Sequence, residues 1–174
     1  MTRMALVAGL GALSLSCLAG LWLRRTFVIV TVRGGSMEPT LHNGDLVLVR
    51  RTSLRRVRRG QIIVFRLPAH ARPKSPQPSH DPPTGAVGTG RSLDDRFMVK
   101  RAVAVPGDEV PGNLHPALSR QAGQPVPAGC LVAVGDNREA SFDSRSYGFV
   151  TSELVLGIVL RPVGASARRA SRTS

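Results

Sequence analysis

The 174-residue sequence predicts a mostly β core tethered by one N-terminal transmembrane helix. Three observations carry that prediction. An uncharged run of 20 residues, Met4 to Leu23 (MALVAGLGALSLSCLAGLWL), lies between Arg3 and the pair Arg24-Arg25, and a helix of roughly 20 apolar residues spans a bilayer. Downstream, short runs rich in β-branched residues are punctuated by Gly, Pro and Asn, as strands are by turns. No helical period continues beyond the N-terminal run, which excludes bundles and doubly wound folds.

Taken in order, residues 1–25 read as the anchor, with a cleaved signal peptide as the rival because Ser16 and Ala19 are small. The run is longer than a usual signal-peptide apolar region, which favours anchoring. Residues 26–163 form the core. Its expected strands are Phe27–Arg33, Asp45–Arg51, Gln61–Leu67, Arg96–Val105, Leu131–Val134 and Val155–Leu160. Turns are expected at His42-Asn43-Gly44-Asp45 and Pro106-Gly107-Asp108. Within the core, residues 68–95 are rich in Pro, Gly and Ser and read as a flexible loop. The tail 164–174 reads as a basic, disordered end.

The formal charge of +13 comes from 22 Arg and two Lys, Lys74 and Lys100, so the chain takes its positive charge almost wholly as Arg. Such a balance suits anionic lipid or nucleic acid. Aromatics at 4% are too few for a base-stacking platform, which argues against nucleic acid. Cys17 and Cys130 form no disulfide framework, and His42, His70, His80 and His115 show no metal-ligand spacing. No metal or cofactor is expected.

Three segments could carry chemistry. In Arg33-Gly34-Gly35-Ser36-Met37-Glu38-Pro39-Thr40-Leu41, two glycines after a strand allow close backbone approach beside a serine; by itself the segment also reads as an ordinary turn. A nucleophilic serine needs a base, and no histidine sits in a segment resembling a catalytic loop. Lysine is the alternative. Strand alternation puts Met98, Lys100, Ala102 and Ala104 on one face and Val99, Arg101, Val103 and Val105 on the other. Lys100 thus shares a face with apolar and small residues, where burial would lower its basicity toward a usable range; an edge lysine snorkelling to water fits the same pattern. The third segment runs from Gly135 to Phe149 and sets Asp143 two residues from Arg145. On spacing alone, it reads equally as a polar loop.

In this order the three segments resemble the bacterial type I signal peptidases, the Ser–Lys leader peptidases. Gly35 to Leu41 is similar to the nucleophile box, and Gly60 to Pro68 to the strand that follows it. Val99 to Asp108 is similar to the lysine box, and Gly135 to Arg138 with Ser141, Asp143, Ser144, Arg145 and Gly148 to the closing box. The likeness runs from about residue 4 to 162. It implies a signal-peptidase-like β catalytic core in which Ser36 attacks the scissile carbonyl and unprotonated Lys100 acts as general base. Ser141 would orient the lysine, Asp143 and Arg145 would pair, and the backbone at Ser36, preceded by Gly35, would help bind the oxyanion. Substrates would be the signal peptides of exported preproteins.

The resemblance also implies a bacterial plasma-membrane protein, single-pass, with its catalytic domain on the extracytoplasmic side. The positive-inside rule argues the reverse, but long domains translocate regardless of charge. Two departures stand out. Some members carry a serine two positions before the nucleophile as an oxyanion donor, whereas this chain has Gly34. Only 21 residues, Glu109 to Gly129, follow the lysine box where larger members insert a second domain. Rival readings are a dedicated maturation protease of the same superfamily and, from another class, a non-enzymatic membrane-tethered basic binding protein. A Ser–Lys self-cleaving repressor is chemically similar but should lack the anchor and carry a DNA-binding region.

Overall fold

The computed structural model describes residues 17, 18, 20–71, 97–114 and 116–163. Within them, alternating apolar segments pair into one antiparallel sheet: β1 (Phe27–Thr31), β2 (Leu46–Arg51), β3 (Ile62–Arg66), β4 (Phe97–Ala104), β5 (Cys130–Val134), β6 (Val150–Thr151) and β7 (Val155–Val163). The order is β1-β2-β7-β3-β4-β5-β6. The C-terminal strand therefore sits in the middle, pairing β2 on one side and β3 on the other.

All six expected strands form, each within a few residues of its expected bounds. β7 runs past its expected end at Leu160 because β2 continues beside it, Leu46 opposite Val163. β6 was not foreseen: two residues are too few for any periodicity. Residues 20–26 are helical and lead directly into β1, with Thr26 Oγ1 donating to the Trp22 carbonyl at 2.8 Å. Most of the apolar run 4–23 lies outside the described residues, as do 72–95 of the Pro-rich loop and the tail 164–174. Among the described residues no helix is long and apolar enough to cross a membrane.

Three apolar clusters pack against the sheet. Val30, Val32, Met37, Leu41, Val47, Val49 and Val64 form one. Ile63, Phe65, Ala102, Leu131, Ala133, Tyr147 and Ile158 belong to the second, and Val110, Leu114, Leu118, Val126 and Val132 to the third. The third is built by residues 105–126, a compact excursion closed by Val126 N–H donating to the Asp108 carbonyl at 2.8 Å and Gly107 N–H to the Val126 carbonyl at 3.0 Å. Burial of these side chains from water is what holds the short strands together.

The β2–β7 pairing needs Gly157. A Cβ built there would overlap the carbonyl of Arg50, a strand backbone group that cannot swing aside. We expect Gly157→Ala to lower the unfolding free energy by about 1–3 kcal/mol, as measured by urea denaturation. An unchanged midpoint would show that β2 and β7 can separate freely.

Candidate active site

Ser36 lies in the loop between β1 and β2, and that loop is pinned at both ends. Val32 N–H donates to the Asp45 carbonyl at 2.8 Å and Gly44 N–H to the Val32 carbonyl at 2.9 Å. The Asp45 carboxylate in turn accepts from His42 N–H at 2.9 Å, so the expected turn closes on its own side chain. Met37 and Leu41 are 1% and 2% exposed and anchor the loop in the first apolar cluster. Ser36, next to Met37, is half-buried at the rim.

Gly34 has φ +77°, a left-handed conformation that disfavours any side chain. Its N–H donates to Asn43 Oδ1 at 3.0 Å. The backbone that this loop requires thus gives a physical reason for glycine at this position.

The strand alternation expected for β4 is observed. Lys100, Ala102 and Ala104 are 1%, 0% and 1% exposed, while Val99, Arg101 and Val103 are half-buried on the other face. Lys100 Nζ donates to Ser141 Oγ at 3.0 Å. Ser141 Oγ in turn donates its hydroxyl hydrogen bond to Asp143 Oδ2 at 2.6 Å. Asp143, fully buried, also accepts from Gly135 N–H at 3.0 Å and from Arg145 Nε at 2.9 Å. Arg145 Nη2 reaches the Arg138 carbonyl at 2.7 Å, tying both ends of the closing segment.

Burial disfavours the charged form of Lys100 and is the chief reason its pKa falls from the ordinary 10.5 to about 8; the Asp143 carboxylate pulls it back up and Arg145 opposes that pull. Burial also works against ionised Asp143, but the hydrogen bonds from Arg145, Ser141 and the Gly135 amide outweigh it and hold the carboxyl below its usual range.

Gly135 brings the serine loop to this chain of bonds. A Cβ there would overlap both Ser141 Oγ and the Ser36 carbonyl oxygen. The Ser36 carbonyl also accepts from Asn137 N–H at 3.1 Å. The structure therefore gathers Ser36, Lys100, Ser141, Asp143 and Arg145 in one place, with Gly35 next to Ser36 in the same loop.

A second strap was missed in the sequence. Arg101 grips Asp136 with two parallel bonds, Nε to Oδ1 at 2.8 Å and Nη2 to Oδ2 at 2.6 Å, the strong bidentate geometry of guanidinium and carboxylate. Arg101 Nη1 also reaches the Gly60 carbonyl at 2.7 Å, and Thr40 Oγ1 donates to Asp136 Oδ2 at 2.5 Å. Serine loop, lysine strand and closing segment are thus joined by one guanidinium. Alternation placed Arg101 opposite Lys100, but nothing local in the sequence names its partner.

An antiparallel sheet carrying a serine loop, a buried lysine and a closing acid–arginine pair defines a class, and comparison with known proteins gives the family. Residues 6–115 and 112–163 match the family model described as signal peptidase, peptidase S26. The chain belongs to this family. It is 32% identical over 153 residues to the probable signal peptidase I-2 of Synechocystis sp., covering 76% of this chain and 62% of the relative. Signal peptidase I of Bacillus caldolyticus is 31% identical over 143 residues, 74% of each chain. Signal peptidase I V of Bacillus subtilis is 31% identical over 148 residues, 76% of this chain and 83% of the relative.

The buried lysine has a thermodynamic signature. Because its folded pKa is about 8 and its ordinary value 10.5, the unfolded chain binds more protons between those two pH values. Stability therefore rises with pH across that window, and the full penalty, on the order of 3 kcal/mol, applies below it. We expect Lys100→Met to be more stable at pH 7 by up to about that amount and to lose the rise between pH 8 and 10.5. Urea titrations at several pH values read this directly; equal stability of the two proteins at pH 7 would show that Lys100 carries no such penalty.

Proposed function

We propose that this chain is a serine endopeptidase that removes N-terminal signal peptides from exported proteins, with Ser36 as nucleophile and Lys100 as general base. The observation that carries the reading is Lys100, 1% exposed and lowered to about 8, beside the one glycine that lets the Ser36 loop approach. At pH 7 such an amine is neutral in about one molecule in ten, compared with fewer than about one in a thousand for a free lysine.

A neutral amine has two N–H donors and one lone pair. Donation of one N–H to Ser141 Oγ at 3.0 Å leaves the lone pair free for the Ser36 hydroxyl proton. Ser141 is set to accept because its own hydrogen goes to Asp143 at 2.6 Å. Ser36 Oγ attacks the scissile carbonyl as its proton passes to Lys100, and the ammonium returns a proton to the departing amine. The acyl group remains on Ser36. Lys100 then takes a proton from water, hydroxide attacks the ester, and the returning proton restores the serine. Backbone N–H at Ser36, with Gly35 before it, would bind the oxyanion, a contribution of about 3 kcal/mol per donor in such sites.

The apolar run 4–23 serves in this reading as a single membrane anchor, with the catalytic core on the extracytoplasmic face of a bacterial plasma membrane. The 13 residues from Leu23 to Ser36 reach at most roughly 45 Å, so the nucleophile stays near the bilayer. Arg50, Arg51, Arg55, Arg56, Arg58 and Arg59 are all exposed, and Arg50 pairs with Phe27 beside the exit of the N-terminal helix. A basic rim beside that exit supports contact with anionic headgroups.

Ser36→Ala and Lys100→Ala should each reduce cleavage of a signal-peptide-bearing precursor by at least about a thousand-fold, with the fold retained by circular dichroism. Cleavage near the native rate in either variant would sink the mechanism. The pH profile of kcat/KM should show an acid limb near pH 8, since only unprotonated Lys100 accepts the serine proton. A limb unmoved when Ser141→Ala changes the lysine's surroundings would assign it to another group.

A further inference from the structure

Beyond the Arg101–Asp136 strap, on the same face of the β4–β5 pair, the sheet carries a cavity of about 240 Å³. Arg101 faces Val134 across the two strands, and Val103 and Val134 form its floor with Leu114 and Pro111 from the 105–126 excursion. Arg59, Arg138 and Asn113 stand at its edges. Both arginines are exposed, and neither has a carboxylate partner among the described residues. An apolar floor under two unpaired guanidinium groups and an amide suits a short chain segment that brings a carboxylate.

The cavity adjoins the segment 134–138, which holds the Ser36 loop. Val134 precedes Gly135, whose missing side chain admits the Ser36 carbonyl. Arg138 follows Asn137, whose N–H holds that carbonyl at 3.1 Å. Val30, Val32, Phe97 and Val99 belong to the apolar cluster beneath the serine loop and none of them lines the cavity; in this reading the residues preceding a cut lie toward that cluster. A substrate laid extended across Ser36 would then carry its residues after the cut toward the cavity. Arg138 is one Cα step of about 3.8 Å beyond Asn137, whose N–H holds the Ser36 carbonyl, and its side chain reaches further; at roughly 3.3 Å per extended residue, that reach corresponds to about two to four substrate residues after the cut.

We propose that this cavity is a specificity site for the mature part of the substrate, in which Arg59 and Arg138 bind an Asp or Glu side chain two to four residues after the cut. The inference rests on the signal-peptide reading above. It assigns a task to the short excursion after the lysine box: Pro111, Asn113 and Leu114 supply one wall of the site.

The test uses the full chain in detergent micelles and two precursors with one signal sequence. One carries Asp and Glu at the second to fourth positions after the cut, and the other carries Asn and Gln there. The native chain should cleave the acidic precursor with kcat/KM roughly five-fold higher, the scale of a partly exposed ion pair, mainly through a lower KM, and the preference should shrink in 0.5 M salt. In the double variant Arg59→Gln, Arg138→Gln the ratio of acidic to neutral cleavage should fall to one, with Arg59→Lys, Arg138→Lys retaining most of it. Equal cleavage of both precursors by the native chain, or a preference that survives in the Gln variant, overturns the specificity site and leaves the peptidase reading standing. Failure to cut either precursor overturns the peptidase reading and the inference with it.

Discussion

Burying an amine inside an antiparallel sheet costs free energy, and the surroundings of Lys100 fit that cost better than they relieve it. The side chain is 1% exposed and pairs directly with no carboxylate among the described residues; Ser141 stands between it and Asp143. A direct ion pair would have raised the pKa and kept the amine charged. Inserting a hydroxyl keeps the negative charge at one remove, so desolvation wins and the pKa falls to about 8. Asp143 in turn can stay ionised while fully buried because Arg145, Ser141 and the Gly135 amide all donate to it. From Lys100 through Ser141 to Asp143 and Arg145, each group hydrogen-bonds to the next, the condition under which a buried network is tolerated.

The same requirement explains the loops. Three segments far apart in sequence must meet within a few ångströms, and side chains long enough to join them do so at two places. Asp143 with Arg145 closes the third segment upon itself and reaches the Gly135 amide. Arg101 with Asp136, Thr40 and the Gly60 carbonyl links the lysine strand to the serine loop and to the turn before β3. The Ser36 loop has apolar anchors in Met37 and Leu41 and a left-handed glycine at its entry. Its position is therefore set from both sides, by packing below and by hydrogen bonds above.

Charge is distributed to match. The carboxylates at the site, Asp136 and Asp143, are paired with arginine, whereas the arginines of residues 50–59 and those edging the cavity beyond the strap face solvent without carboxylate partners among the described residues. Paired charge holds the site together, and unpaired charge faces solvent, the arrangement on which the proposed membrane and substrate contacts draw. Two arginines that differ little in sequence context, Arg101 and Arg59, thus take opposite roles because one lies over Asp136 and the other over a cavity.

The strands and the buried face of β4 were legible in the sequence because both follow from local alternation: Lys100, Ala102 and Ala104 had to share a face whatever the fold around them. The turn at His42–Asp45 was legible for the same reason, its bonds closing within four residues. Asp143 and Arg145, two residues apart, came close to it. What no local pattern held was the insertion of β7 between β2 and β3, the Arg101–Asp136–Thr40 strap across gaps of 35 and 96 residues, and the approach of Ser36 to Gly135. Those depend on which strand neighbours which, a choice made by the packing of the three apolar clusters and the close fit at Gly157. Residue types and their local faces were determined by the sequence alone; that the Ser36 loop meets Gly135 and that Lys100 meets Ser141 was decided by the sheet, since only long-range burial brings segments so far apart in the chain together.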